Sequence, residues 1–360
     1  MTRWEIFRML AGCLTPALSR NHETIPLTTE IPWEQLIEAA EDHLVSPALG
    51  WCLGNDPRVP LEVRPFFATL LDLNRDRNAL ILRGLDDALQ SLNSVGITPM
   101  LLKGTAALAE DLYPDHGMRI LSDIDLLIPL TKLDAASAAL TTANFVPTTI
   151  NQTLVDRDHH HLPVQVHAVH QVGVELHSSV LPRGFHHFVD TEACWRNSRP
   201  LVWRQKQARV PSPTDCVAHN IAHAQIVDGH YWRGAPRLRQ LLELELLLKR
   251  YGQEIDAQDL EERFAITRHA DVLSDTLVWA TALLQPDSPP ASEATHARLR
   301  RLQRIVEHPE RQRWGLYRRL VARNTRRVMA NPRFLLNALR PGFWQAELDG
   351  IRRRSTPSRW

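Results

Sequence analysis

The segment that most restricts this chain runs from Arg119 to Ile128 and reads Arg-Ile-Leu-Ser-Asp-Ile-Asp-Leu-Leu-Ile. Two acids alternate with apolar residues, then give way to an apolar run stopped by Pro129, the pattern of a buried strand. On a strand, residues two apart share a face. Asp123 and Asp125 therefore project side by side, with Ile124 and Leu126 facing the core. Two carboxylates held that close repel each other unless solvent screens them or a divalent cation bridges them. Oxygen donors suit Mg²⁺, which keeps several waters and takes one or two carboxylates together with substrate phosphates. Metal-bridged carboxylates are what nucleotidyl transfer needs: one ion activates the attacking oxygen, and another neutralises charge on the leaving pyrophosphate.

The flanking sequence offers further parts of such a site. Ile97–Leu102 is a short apolar run after Gly96 and reads as a strand, and Thr105–Leu112 reads as a helix. Between them, Lys103-Gly104 forms a strand–Gly–helix junction, where free N–H groups face an anion and a glycine lets a phosphate approach the backbone. The Thr105 hydroxyl can donate to the same phosphate. Only Lys103, Lys132, Lys206 and Lys249 are lysines among the 42 basic residues, so Lys103 reads as a contact to phosphates or to the acids, against a solvated strand-end charge. Glu175, in Gly173-Val174-Glu175-Leu176-His177, supplies a third carboxylate if its strand lies beside Asp123–Ile128. His177 shares the face of Glu175 and is the first histidine expected beside phosphate or metal, with His161 second. Arg119 is expected to pair with Asp125 or with a triphosphate, whose oxygens suit a guanidinium, or to form a structural salt bridge.

The remaining pattern is mostly helical. Trp33–Val45 and Leu61 to about Asn93 have apolar residues at helical spacing and read as packing helices. Leu133–Ala143 is an Ala-rich helix, and Leu162–Ala168 and Val172–Leu176 are strand candidates. This order makes a small α/β unit over roughly 94–200. Helical periodicity returns at Thr214–Val227, Leu238–Tyr251, Asp259–Phe264, Ala270–Leu284 and Ala297–Val306, with a linker at Asp287–Glu293. The organisation expected is an N-terminal helical region (1–95), a core (96–205), a C-terminal helical domain (206–340) and a basic tail (341–360).

Composition excludes several classes. The 360 residues are 44% hydrophobic and 23% charged, which is ordinary for a folded soluble chain and not for a collagen-like, coiled-coil or disordered one. A net charge of +1 gives no field that favours nucleic acid or a membrane surface. No apolar run is long enough to span a bilayer. Cys13, Cys52, Cys194 and Cys216 are widely spaced and form no CxxC pair, so a zinc ribbon or disulfide scaffold is not expected and a reduced, cytoplasmic protein is. Eight of the 17 histidines (His159, His160, His161, His167, His170, His177, His186 and His187) crowd one interval. Their spacing matches no common zinc motif. His219 and His223 share a helix face and read as packing, or as lining of an acceptor cleft. The Arg-rich end, including Arg318-Arg319, Arg326-Arg327 and Arg352-Arg353-Arg354, reads as the solvated face of an amphipathic helix rather than a nucleic-acid site.

The combination Leu-Leu-Lys-Gly, then Arg-x-x-Ser-Asp-Ile-Asp-Leu-Leu, then Val-Glu-Leu-His resembles the uncharacterised nucleotidyltransferase-like family of bacteria, within the DNA polymerase β-type nucleotidyltransferase superfamily. The resemblance covers about 97–181. It implies an α/β (α+β) nucleotidyltransferase-like core with a small mixed sheet, flanked by helical regions. It also implies metal ligands at Asp123, Asp125 and Glu175, with the glycine-loop element at Lys103-Gly104. Thr105, Arg119, Ser122 and His177 are expected around the nucleotide. Thr105 after Gly104 departs from the superfamily's usual Gly-Ser or Gly-Gly. The implied cofactor is Mg²⁺ or Mn²⁺, and the implied substrate is an NTP. Members of that family are often encoded near peptide natural-product (lasso peptide, lantibiotic) or polysaccharide biosynthesis genes, which implies a peptide, sugar or small-molecule acceptor. The competing expectations are a non-catalytic peptide- or partner-binding module on a degenerate transferase fold, and a nucleic-acid-modifying transferase using the basic tail.

Overall fold

The computed structural model describes residues 1–19, 31–148, 161–233, 236–285 and 292–309. The expected linker at 287–293 falls largely outside these residues. The basic tail, the arginine pairs beyond 310, and His159 and His160 fall wholly outside them.

The chain opens with helices α1 (Arg3–Cys13), α2 (Pro16–Ser19), α3 (Trp33–Asp42), α4 (Ser46–Leu53) and the long α5 (Arg64–Ser94). There follow β1 (Met100–Leu101), α6 (Lys103–Ala109), β2 (Asp123–Leu127), α7 (Leu133–Thr142), β3 (Phe145–Pro147), β4 (Gln165–His167) and β5 (Gly173–His177). Helix α8 (Thr191–Asn197) leads into the hairpin β6 (Arg199–Trp203) and β7 (Lys206–Val210). The C-terminal helices are α9 (Pro213–Ile221), α10 (His230–Arg233), α11 (Leu238–Tyr251), α12 (Ala257–Ile266), α13 (Ala270–Leu284) and α14 (Glu293–Glu307). Ala222–Val227 continues α9 as a stretch of π-helix, a rare form that is frequent at functional sites.

The strands form one mixed sheet in the order β3-β4-β5-β2-β1-β7-β6. The expected α/β core with helical flanks is thus present. Strand β7 pairs with β1, so the sheet runs past residue 205, where the core was expected to end. The sequence reading found neither β3 nor the β6–β7 hairpin. The hairpin turns at Arg204 and Gln205, with φ of 45° and 71°, without the Gly or Asn that normally announces such a turn. Of the expected strand at 97–102, only Met100–Leu101 pairs as a strand, with Leu102 extended beyond it as the N-cap of α6. The segment before it is tied back to α5 by Ile97 N–H donating to Leu92 O at 2.9 Å and Asn93 Nδ2 donating to Ile97 O at 3.0 Å.

Ile124, Leu126, Val174 and Leu176, the apolar alternates of β2 and β5, are buried in the main core. Helix α5 crosses this face at Gly84, where an added Cβ would lie 3.2 Å from Val172 and 3.6 Å from Ile124. The same helix fixes the approach to β2. Asn74 Nδ2 donates to Gly117 O (2.7 Å) and Arg119 O (3.1 Å), and Asn78 Nδ2 to His116 O (2.6 Å) and Arg119 O (2.7 Å). These amides hold the irregular chain just before Ser122, satisfying buried carbonyls that no strand or helix serves.

Candidate active site

Strands β2 and β5 pair in parallel with Asp125 opposite Glu175, Asp123 opposite Gly173 and Leu127 opposite His177. The alternation that buries Ile124 and Val174 therefore sets Asp123, Asp125, Glu175 and His177 on the other face of two neighbouring strands. Asp125 is the centre of this group. It is 2% exposed, and its Oδ1 accepts from Lys103 Nζ at 2.7 Å and His177 Nε2 at 2.8 Å. Its backbone is held as firmly. Asp125 N–H donates to Thr105 Oγ1 at 3.1 Å, and Asp125 O accepts from Leu102 N–H at 3.1 Å.

Glu175 is half-buried, with Oε2 3.4 Å from His177 Nε2. Asp123 is half-buried at the end of β2 and accepts from the exposed Ser122 hydroxyl at 3.0 Å. Lys103 begins α6 with φ +49°, a left-handed conformation that costs a side-chain-bearing residue about 1 kcal/mol or more.

The electrostatics follow from these contacts. Burial alone would raise Asp125, but Lys103 and His177 outweigh it and hold the carboxyl well below the usual range. Burial likewise opposes charge on His177 and Lys103, yet the acids raise both. The His177 contact lowers Glu175. Asp123 moves the other way, raised by burial and then by Asp125 and Glu175. The acids thus outnumber the cations that serve them, and Asp123 bears the repulsion.

Donor atoms of Asp125, Glu175 and His177 lie within 4.8 Å of one another. Asp123, expected as a ligand, stands outside that trio, although the two other acids act on it electrostatically. Three carboxylates with residual repulsion fit a hard divalent cation such as Mg²⁺ or Mn²⁺. His177 Nε2 is engaged by two carboxylates and so acts as a donor that orients them.

The other expected residues are placed as follows. Gly104 is buried, and a Cβ on it would lie 2.7 Å from Leu121 Cδ1 and 2.9 Å from Arg119 Nη2. A guanidinium therefore occupies the close approach that the sequence offered to a phosphate. Thr105 is buried and accepts the Asp125 N–H. Arg119 takes the structural alternative: Nε lies 2.7 Å from Glu243 Oε2 on α11, which also accepts from Tyr113 OH at 3.0 Å. His161 bridges to His177, with ring centroids 5.3 Å apart. His219 is buried, its pKa driven well below the usual value by burial and then by His223 and Lys103, with Asp125 and His177 also acting on it. That places it electrostatically beside the acids.

His167 and His170 lie elsewhere, 3.7 and 3.4 Å from Asp87 on α5. His167 Nδ1 accepts from the N–H groups of Val169 and His170. The ring proton is therefore on Nε2, and the trio reads as a clasp rather than a metal site. Glu243, Asn74 and Asn78 support the site and were not singled out from sequence. Glu243 had only the faint signal of an acid inside the apolar run Leu241–Leu248.

A family model described as an uncharacterised nucleotidyltransferase matches residues 29–285. The chain belongs to that family. No curated protein and no solved structure matches it. The match takes in every site residue above, from Lys103 through Glu243, as well as α3 to α13. The chain is accordingly a nucleotidyltransferase-like transferase with a mixed-sheet core and helical flanks. No described helix is long and apolar enough to cross a membrane. The chain's four cysteines are all free thiols.

Proposed function

We propose that this protein transfers a nucleotidyl group, or another group from a nucleotide-activated donor, to a hydroxyl or phosphate of an acceptor in the presence of Mg²⁺ or Mn²⁺. The observation that carries this reading is the in-register pairing of Asp125 with Glu175, with Asp123 on the same face of β2. Asp123, Asp125 and Glu175 would hold the divalent cation. When bound, it would neutralise phosphate charge and ease loss of the acceptor's proton.

The chain's own groups do the rest. Lys103, already on Asp125, can turn its ammonium to a phosphate oxygen, because its side chain remains 25% exposed. His177 keeps Asp125 and Glu175 aligned. Glu175, held ionised, can accept the acceptor's proton, and Ser122 borders the open end near Asp123. The acceptor classes proposed are a peptide natural product, a sugar or a small molecule, following the genomic tendency of the family the sequence resembles.

The test is pyrophosphate release with each NTP and Mg²⁺ or Mn²⁺ over a panel of such acceptors. Asp123→Ala and Asp125→Ala should each abolish turnover; activity retained in both would refute the site. One observation favours a second reading, a non-catalytic binding module: Lys103 and His177 both engage Asp125 Oδ1. Calorimetry separates the two, since a module of that kind would bind peptide without binding any nucleotide.

A further inference from the structure

The π-helical stretch after α9 builds a pair of side chains that the proposed transfer leaves unused. Asp228 N–H donates to His223 O at 2.9 Å, the i→i+5 bond of a π-turn. In an α-helix, side chains at that spacing stand about 140° apart. The wider turn brings these two into line instead, and His223 Nδ1 lies 3.3 Å from Asp228 Oδ2. Gly229, at φ +73°, then leads the chain away. A carboxylate at Nδ1 favours the proton on that nitrogen and leaves the lone pair on Nε2. No described residue bonds to that Nε2, and the side chain stays 27% exposed. The pair is therefore built as an accessible base.

Its place in the fold brings it to the acids. Helices α6 and α9 pack together and run in opposite directions. Arg199 ties the end of α6 to the start of α9: its Nη2 donates to Glu110 Oε1 at 2.8 Å and its Nε to Pro211 O at 3.4 Å. Each helix rises about 10 Å from there, so the start of α6, where Lys103 holds Asp125, lies level with His219 near the end of α9. His223 follows one turn on, its ring edge-on to His219 with centroids 5.7 Å apart. Lys103 acts electrostatically on both His219 and Asp228, as that placement requires. Burial, and then His223 and Lys103, keep His219 uncharged, so it supports the ring without opposing a charge on it.

The geometry points to His223 as the base that takes the proton from the acceptor's hydroxyl, with Asp228 as its positioning residue. This rests on the nucleotidyl-transfer reading and names the acceptor-side group of the same site. The acceptor's O–H bond breaks as its proton passes to Nε2. The electron pair left on oxygen forms the new bond to the α-phosphorus. The bond from that phosphorus to the bridging oxygen breaks, and its pair leaves with pyrophosphate. Asp228 stabilises the imidazolium, which returns its proton to water through the exposed part of the ring. Glu175, the other base in the site, is engaged by His177 and is left to hold the cation.

The assay is pyrophosphate release from each NTP by the full chain with Mg²⁺, first with water as the acceptor and then with the acceptor panel above. His223→Gln should lower kcat about a hundredfold or more, with KM for the NTP and Tm unchanged. His223→Ala should fall as far and regain part of its rate in added imidazole, whereas Asp123→Ala should not respond to imidazole. Asp228→Asn, which keeps a polar partner for Nδ1 but no charge, should lower kcat by about tenfold or more and leave KM for the NTP in place.

An unchanged kcat in His223→Gln would overturn the proposal. So would a loss in His223→Ala that imidazole does not restore, or a fall in Tm shared by both variants, since either marks a structural role. Release of no pyrophosphate by the unsubstituted protein would instead overturn the transfer reading, and this assignment with it. The two failures are thus told apart by whether the parent turns over.

Discussion

Replacing Lys103 by Met tests the centre of the site most directly. The ammonium lies 2.7 Å from a carboxylate that is almost wholly buried. At that distance two unit charges attract by about 6 kcal/mol with an effective dielectric of about 20. Desolvation of both groups takes back a large part, and the lysine side chain is 25% exposed. Removing one partner of a buried pair typically costs 3–5 kcal/mol, and the His177 contact that Asp125 retains puts the expected loss at the low end, about 3 kcal/mol. The left-handed backbone at residue 103 is unchanged by Met, so strain does not confuse the comparison. The assay is urea unfolding in EDTA, repeated with Mn²⁺ or Mg²⁺. In EDTA the variant should lose that stability. With the divalent ion it should recover more than the parent gains, because in the parent the ion must compete with Lys103 for Asp125. Equal stability of the two proteins in EDTA, or equal stabilisation by the ion, would refute the reasoning.

Three further outcomes are expected. The raised pKa of His177 contributes stability that is fully present below about pH 6.5 and lost as pH rises through the higher folded value. The lowered pKa of Asp125 contributes stability above about pH 3.9 that is lost as pH falls through its lower folded value. His177→Gln should therefore flatten the decline on the alkaline side in a pH series of unfolding curves, and an unchanged slope would count against the assignment. Gly50→Ala should destabilise more than Gly104→Ala: the new Cβ at 50 meets the Phe67 carbonyl oxygen at 2.5 Å, whereas at 104 it meets the ends of side chains that can move. Chemical denaturation should show a loss of at least about 1–3 kcal/mol at Gly50, and the reverse order would mean that α4 and α5 are not packed as described. Burial raises all four thiols, Cys13 to about 12 and Cys52, Cys194 and Cys216 higher still. A thiol-specific disulfide reagent at mild alkaline pH should react slowly with the native protein and fast after unfolding; rapid native labelling would contradict that burial.

The acid-bearing strand was legible because its period-2 pattern and its acids lie within a few residues of one another. The pairing of Glu175 beside Asp125 was expected on the same pattern, and the pleat then determined the face. The bounds of α11 and α13 coincide with Leu238–Tyr251 and Ala270–Leu284 because an amphipathic helix that long leaves little freedom in its ends. The partners of Arg119 were not legible. Glu243 lies 124 residues away, and no local pattern distinguishes a guanidinium bound for a distant helix from one that faces a phosphate. Asn74 and Asn78 were hidden for the same reason, as polar residues in a helix whose role is set by a loop arriving from elsewhere. The β6–β7 hairpin escaped because Arg204 and Gln205 adopt a backbone that sequence statistics reserve for smaller residues.

The lateral pairing of β2 with β5 has an implication for how errors in this molecule would be noticed. A slip of one residue between these strands would carry Glu175 to the opposite face and, in the same movement, turn Val174 and Leu176, at 0% and 1% exposure, out of the interior. A chain that assembles its carboxylates wrongly would therefore also be a chain that leaves its oily interior open. Protease and chaperone surveillance, which responds to exposed apolar surface, would remove such molecules without any sensor of catalytic competence.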